Sequence, residues 1–119
     1  MLQYLLDEHI ANSYRIQLMR KAPDLVVRKI GDPDSPPKGT LDPDVLVWCE
    51  TFNFVLVTNN RKSMPQHLAD HLAQGRHIPG IFVIDLGANM GQNLNELILI
   101  AAVSLPHEYQ DCIEYLPIS

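Results

Sequence analysis

Short, wholly apolar runs alternate along this chain with longer stretches in which apolar residues recur every three or four positions. Tyr4-Leu5-Leu6 is the first run; it ends in Asp7-Glu8 and reads as a strand. From His9 to Ala22, Ile10, Tyr14 and Leu18 repeat every four residues, flanked by Ala11 and Ala22. That is the stripe of an amphipathic helix, closed by Pro23. Asp24 to Ile30, with Leu25-Val26-Val27 inside it, predicts a second strand. Gly31 to Thr40 holds three prolines and two glycines, which forbids regular structure and predicts a loop. Loops of this kind often border a site.

Asp42-Pro43 opens the next helix, because Asp caps orphan amides and Pro suits the first helical position. Val45, Leu46, Cys49 and Phe52 are expected to form its buried side. Phe54-Val55-Leu56-Val57-Thr58, apolar until its end, has the pattern of a central parallel strand covered on both faces. After the turn Asn59-Asn60-Arg61-Lys62, Ser63 and Gln66 have capping-box spacing for a helix running to Ala73 and stopped by Gly75. Pro79-Gly80 leads into Ile81-Phe82-Val83-Ile84, a buried strand that ends at Asp85. Gly87 to Gly91 is a flexible connection. Asn93 with Glu96 predicts a further helix start, with Leu97, Ile98, Ala101 and Leu105 on one side and Pro106 at its end. Cys112 to Leu116 predicts a last, edge strand.

Strands separated by helix-length segments imply βαβ units. The expectation is a single α/β domain over 1–119, with a mostly parallel sheet between helix layers. Leu5, Val26, Leu56 and Phe82 are expected in its central or near-central strands. Ligands of such sheets bind beyond the carboxyl ends of the strands, at a switch in strand order. Asp7-Glu8, Asn59-Asn60 and Asp85 all fall at such ends.

Composition narrows the function classes. The 119 residues fit one domain, and 46% hydrophobic content supports one core. No run of eighteen apolar residues occurs, and Met1 to Glu8 reaches carboxylates without a basic stretch, unlike a secretory leader. The expectation is a cytoplasmic protein that does not engage the membrane, with Cys49 and Cys112 reduced in apolar surroundings. A net charge of −5 argues against a constitutively basic nucleic-acid binder. A nuclease is still compatible, because divalent cations in a carboxylate site reverse the local sign.

Each candidate residue has two readings. Asp7 and Glu8 can hold a hard divalent cation or complement a helix dipole. Asp42, and Asp44 beside it, serve as a helix cap or as metal oxygens. Asn59 and Asn60 are turn formers that can also position water or phosphate. Arg61, Lys62 and the Ser63 helix start form a cationic corner able to meet a phosphate, or simply solvated charges. His67 and His71 have zinc-ligand spacing, but Leu68 follows His67, so the HExxH signature is absent and surface residues are the simpler account. The Gly87 to Gly91 loop matches neither the P-loop nor GxGxxG.

Leu5-Leu6-Asp7-Glu8-His9-Ile10 resembles the opening strand of PIN-like proteins. Asp42-Pro43-Asp44-Val45-Leu46-Val47-Trp48-Cys49 resembles their second acidic segment. Phe54 to Asn60 resembles their segment of hydrophobic strand, Thr, variable residue and Asp; Pro79-Gly80-Ile81 resembles the turn into their next strand. The resemblance runs in order over roughly the first 85 residues and is nearest to small PIN-like proteins related to toxins of toxin–antitoxin modules. It implies a three-layer α/β/α fold and a Mg²⁺- or Mn²⁺-dependent ribonuclease ancestry. By motif position Asp7 and Asp42 are the metal-binding acids, with Glu8 nearby and Asn60 at the third acidic position. That amide lacks the charge a cation needs, so metal affinity is expected to be weak unless Asp44 or Asp85 compensates. The resemblance further implies RNA as substrate, with Arg61, Lys62 or Ser63 at its phosphate, an antitoxin-like protein partner and a homodimer. The alternative is a non-catalytic PIN-like interaction or regulatory protein with a degenerate acidic site.

Overall fold

A computed structural model describes residues 1–118. Five strands and four helices alternate along them: β1 (Tyr4–Leu6), α1 (Asn12–Lys21), β2 (Val27–Lys29), α2 (Asp42–Phe52), β3 (Val55–Thr58), α3 (Met64–Ala73), β4 (Ile81–Ile84), α4 (Met90–Val103) and β5 (Ile113–Leu116). All strand pairs are parallel and the sheet order is β2-β1-β3-β4-β5. The chain therefore starts in the middle, steps outward to β2, and returns past β1 to β3. The switch in strand order lies between β1 and β3.

The two-residue period of the strands sorts the core into two clusters. Tyr4, Leu6, Val57, Phe82 and Ile84 meet Tyr14 and Leu18 of α1 and Leu94, Leu97, Ile100 and Ala101 of α4. Leu5, Leu56, Ile81 and Val83 meet Val45, Leu46 and Cys49 of α2 and Met64 and Leu68 of α3. The result is the expected three-layer α/β/α arrangement. Tyr4 anchors two layers: its ring stacks edge-on against Phe82, with centroids 5.8 Å apart, and its hydroxyl donates to the Leu97 carbonyl at 2.6 Å.

Several local expectations need correction. β2 is an edge strand, and Val26 lies just outside it, 43% exposed. Its one-sided neighbourhood leaves an apolar residue in solvent where a central strand would have buried it. Phe52, assigned to the buried side of α2, is 54% exposed, because it ends the helix where the sheet no longer covers it. Cys49 is buried, but Cys112 is exposed; both are free thiols. Leu41 occupies the N-cap of α2, and Asp42 is its first helical residue, so Asp42 does not cap. Ser63 makes no side-chain cap bond to α3. α4 starts earlier than the Asn93–Glu96 spacing implies: Asn89 caps it by accepting from the Gln92 N–H at 3.1 Å. Asn93 lies one turn inside and fully buried, its amide donating to the Tyr14 hydroxyl and the Asp85 carbonyl.

Candidate functional site

The carboxyl ends of β1 and β3 are neighbours because those strands pair across the switch. The Asp7 N–H donates to the Val57 carbonyl at 2.9 Å, which fixes the Asp7 backbone as an extension of that ladder. Thr58 closes β3 and is fully buried. Its hydroxyl donates to Asp7 Oδ2 at 3.0 Å and accepts the Asn60 N–H at 3.1 Å. The Asn60 side chain then crosses to α2, donating from Nδ2 to Asp42 Oδ2 at 3.2 Å. The same Nδ2 meets Ser63 Oγ at 2.8 Å. Asn60 Oδ1 accepts from the Ser63 N–H at 3.2 Å and from its hydroxyl at 3.0 Å. His67 Nε2 stands 3.4 Å from Asp42 Oδ2. One network thus links Asp7, Thr58, Asn60, Asp42, Ser63 and His67 from four parts of the chain.

The orientation of the Asn60 amide follows from its partners. A backbone N–H can only donate, so the Ser63 N–H requires Oδ1 on its side. Nδ2 is then turned to the Asp42 carboxylate, a charge-assisted pairing. Asn60 also does what the expected capping box does not: it accepts an orphan N–H at the amino end of α3.

The remaining candidates lie apart from this network. Glu8 Oε1 accepts the Gly39 N–H at 3.0 Å and ties down the proline-rich loop. Arg61 sits over the Tyr115 ring, 5.1 Å from its centroid, and Lys62 is exposed. Asp44 lies exposed in the first turn of α2. Asp85 Oδ1 accepts the Gly87 N–H at 2.9 Å and closes its own turn. His67 is the member that sequence reasoning missed. Helical spacing pairs it with His71, yet His71 is 4% exposed and points elsewhere, its Nε2 2.9 Å from the His77 carbonyl and 3.1 Å from Glu50 Oε1. Nothing in the sequence links residue 67 to residue 42; only the packing of α2 against α3 does.

Magnesium and manganese need several oxygen ligands. Among the described residues no group of three or more His, Cys, Asp and Glu side chains can hold a metal ion. Asn60 moreover aims an N–H at the Asp42 oxygen, where a shared cation would need an acceptor. These residues do not fit a cation centre built by the protein alone.

Three surface grooves, of about 350, 530 and 190 Å³, lie at the other end of the sheet, beside residues that precede the strands. No helix among the described residues is long and apolar enough to cross a membrane. Comparison with protein-family models, with curated proteins and with solved structures found no match for the chain.

Proposed function

We propose that this chain is a PIN-like interaction or regulatory protein whose acidic site is held together by an amide in the place of a cation. The observation that carries this reading is the bond from Asn60 Nδ2 to Asp42 Oδ2. Carboxylates that join one polar network are held there by hydrogen-bond donors or by a cation. Here Thr58 supplies a hydroxyl to Asp7, and Asn60 supplies an amide to Asp42. The partner of such a module in the related toxin–antitoxin setting is an antitoxin-like protein, and a homodimer is the expected assembly. Light scattering that gives a monomer mass over a wide concentration range would overturn the dimer.

A second reading, a Mg²⁺- or Mn²⁺-dependent ribonuclease, draws support from a different observation. Asp7 and Asp42, distant in sequence, meet one network at the strand switch, where ligands of such sheets bind. In that reading Asp7 and Asp42 would hold the cation, which would supply Lewis-acid chemistry, and Arg61, Lys62 and Ser63 would approach an RNA phosphate. Calorimetric Mn²⁺ titration of wild type and Asn60→Asp, beside cleavage of single-stranded RNA, separates the two. The first reading expects no heat and no cleavage from wild type. Mn²⁺ binding that Asp7→Asn abolishes, together with RNA cleavage, would replace it with the second.

A further inference from the structure

The amino end of the sheet carries a groove of about 530 Å³ that the acid network does not touch. Its lining includes Val26, Arg28, Asp34, Trp48, Phe52 and Phe54. Trp48 packs 4.9 Å from the Phe54 ring and 5.0 Å from the Phe52 ring, centroid to centroid. Phe54 is buried, but Phe52, which also lines the groove, is 54% exposed. The Arg28 guanidinium lies 5.6 Å from the Phe54 centroid and donates from Nη1 to the Asp34 carbonyl at 3.2 Å. A guanidinium has five N–H donors, so this bond leaves most of them for another acceptor. Tryptophan and arginine in a concave apolar setting are the residue types that dominate protein–protein binding energy.

Beside the groove runs the outer edge of β2, which pairs only with β1. The Val26 carbonyl accepts from Tyr4 and the Ile30 N–H donates to Leu6, so those groups face β1. The two-residue period then turns the N–H and C=O of Val27 and Lys29 outward. Asp32 closes the Lys29 pair: its Oδ2 accepts the Lys29 N–H and its N–H donates to the Lys29 carbonyl, both at 2.9 Å. Val27 is left as the open edge residue. Val26 and Arg28, on either side of it, share a strand face and both line the groove.

We infer that this groove and the open Val27 edge dock an extended segment of a partner protein. The segment's backbone pairs with Val27, one large apolar side chain enters against Trp48 and Phe52, and a carbonyl or carboxylate beside it meets Arg28. Strand addition with a side-chain pocket is an established way to recognise peptides. Single-stranded RNA could also stack on the aromatic rings, but among the described residues Arg28 is the one Lys or Arg that lines the groove, and the chain carries a net charge of −5. A phosphate backbone therefore finds little attraction here, and a polypeptide is the better occupant. The inference rests on the interaction-module reading and gives it a surface and a partner class.

The test pans phage-displayed random nonapeptides on the wild-type chain and titrates the synthesised winners into ¹⁵N-labelled protein. Trp48 is the sole tryptophan, so its indole resonance reports on the groove alone. The expected peptides carry a large apolar residue, shift the Trp48 indole and the Val27 and Arg28 amides, and bind at least tenfold more weakly to Phe52→Ala and to Val27→Pro. Both variants spare the fold: Phe52 is half exposed, and the Val27 N–H faces away from β1, where proline is tolerated. The inference is overturned if panning yields no binder, if both variants bind the peptides like wild type, or if the shifts fall at Asp7 and Asn60. It is also overturned if an oligouridylate moves the groove resonances and displaces the peptides. Mn²⁺ titration of the same sample probes the opposite end of the sheet, so a metal-binding result would overturn the interaction-module reading without altering the groove result.

Discussion

Asn60→Asp puts the amide-for-cation reading at risk. An aspartate there would keep one oxygen on the Ser63 N–H and aim the other at Asp42 Oδ2, which the amide nitrogen now meets at 3.2 Å. The change removes a hydrogen bond to a charged group, about 1.5–3 kcal/mol. It also adds a like-charge contact, which at 4 Å costs about 1 kcal/mol in water and about 4 kcal/mol near a protein surface. The Asp42 side chain is 32% exposed, so the repulsion falls toward the lower figure. Together the two effects give about 2.5–4 kcal/mol, or a fall in Tm on the order of 10–16 °C at about 4 °C per kcal/mol. A divalent cation seated between the carboxylates at a hundred times its Kd would return about 2.7 kcal/mol. Melts followed by circular dichroism, in EDTA and in MnCl₂, measure both effects. Asn60→Ala is the control: it loses the hydrogen bond without adding charge, so its Tm falls less and does not respond to Mn²⁺. If Asn60→Asp in EDTA melts within about 2 °C of wild type, the amide does not hold Asp42 and the reasoning fails. If Asn60→Ala gains as much from Mn²⁺ as Asn60→Asp does, the cation acts elsewhere.

Thr58→Val keeps the shape of a fully buried side chain but removes the hydroxyl that bridges Asp7 and Asn60. A loss of about 1–3 kcal/mol is expected in urea unfolding, because the Asn60 N–H loses its acceptor. Phe82→Ala empties a fully buried site between Tyr4 and Tyr109, whose rings lie 5.8 and 5.1 Å away. It should cost about 3–5 kcal/mol by the same measurement. The pair of His77 Nδ1 and Asp111 Oδ2, 2.7 Å apart, predicts a pH window. The hydrogen bond and charge of Asp111 raise the His77 pKa, so this contribution is full below the ordinary imidazole value and is lost as pH rises through the raised one. Burial pushes the Asp111 carboxyl up, but hydrogen bonds from His77 and the Ile78 N–H outweigh it and lower the pKa. That contribution is present above the ordinary carboxylate value and is lost as pH falls through the lowered one. Thermal melts across pH should therefore show His77→Ala losing stability relative to wild type in the mildly acidic range and converging with it in alkali. A constant difference at every pH would refute the pairing.

The sheet was legible because β1 and β4 are wholly apolar runs and β3 is apolar up to Thr58, all bounded by turn residues, a signal that depends on local sequence alone. Val26 and Phe52 misled for the opposite reason. An apolar residue at helical or strand spacing reads as core; only the sheet order tells that Val26 adjoins an edge strand, and only the end of α2 at Phe52 leaves that ring uncovered. The helix starts show a similar limit. Asp42, Ser63 and Asn93 are all residue types that cap helices, yet Leu41 holds the N-cap of α2, Asn60 serves the Ser63 N–H, and Asn89 caps α4. None of the three makes the expected side-chain cap bond: Asp42 and the Ser63 hydroxyl join the acid network, and Asn93 joins the core.

The meeting of Asp7, Asn60 and Asp42 was legible in the sequence, while the bonds they make were not. The switch between β1 and β3 brings residue 7 to residue 58 whatever their side chains are, because the ladder itself joins the Asp7 N–H to the Val57 carbonyl. The position of Asp42 at the start of α2 is set in the same way by the crossover from β2 to β3. The fold therefore fixes which residues meet. What they do when they meet depends on the donor or acceptor at residue 60, and here the Ser63 N–H decides which way that side chain turns. With an oxygen held on Ser63, an asparagine must offer hydrogen to Asp42, whereas an aspartate must offer a second negative oxygen. A single atom at residue 60 thus separates a network closed by hydrogen bonds from one that calls for a cation.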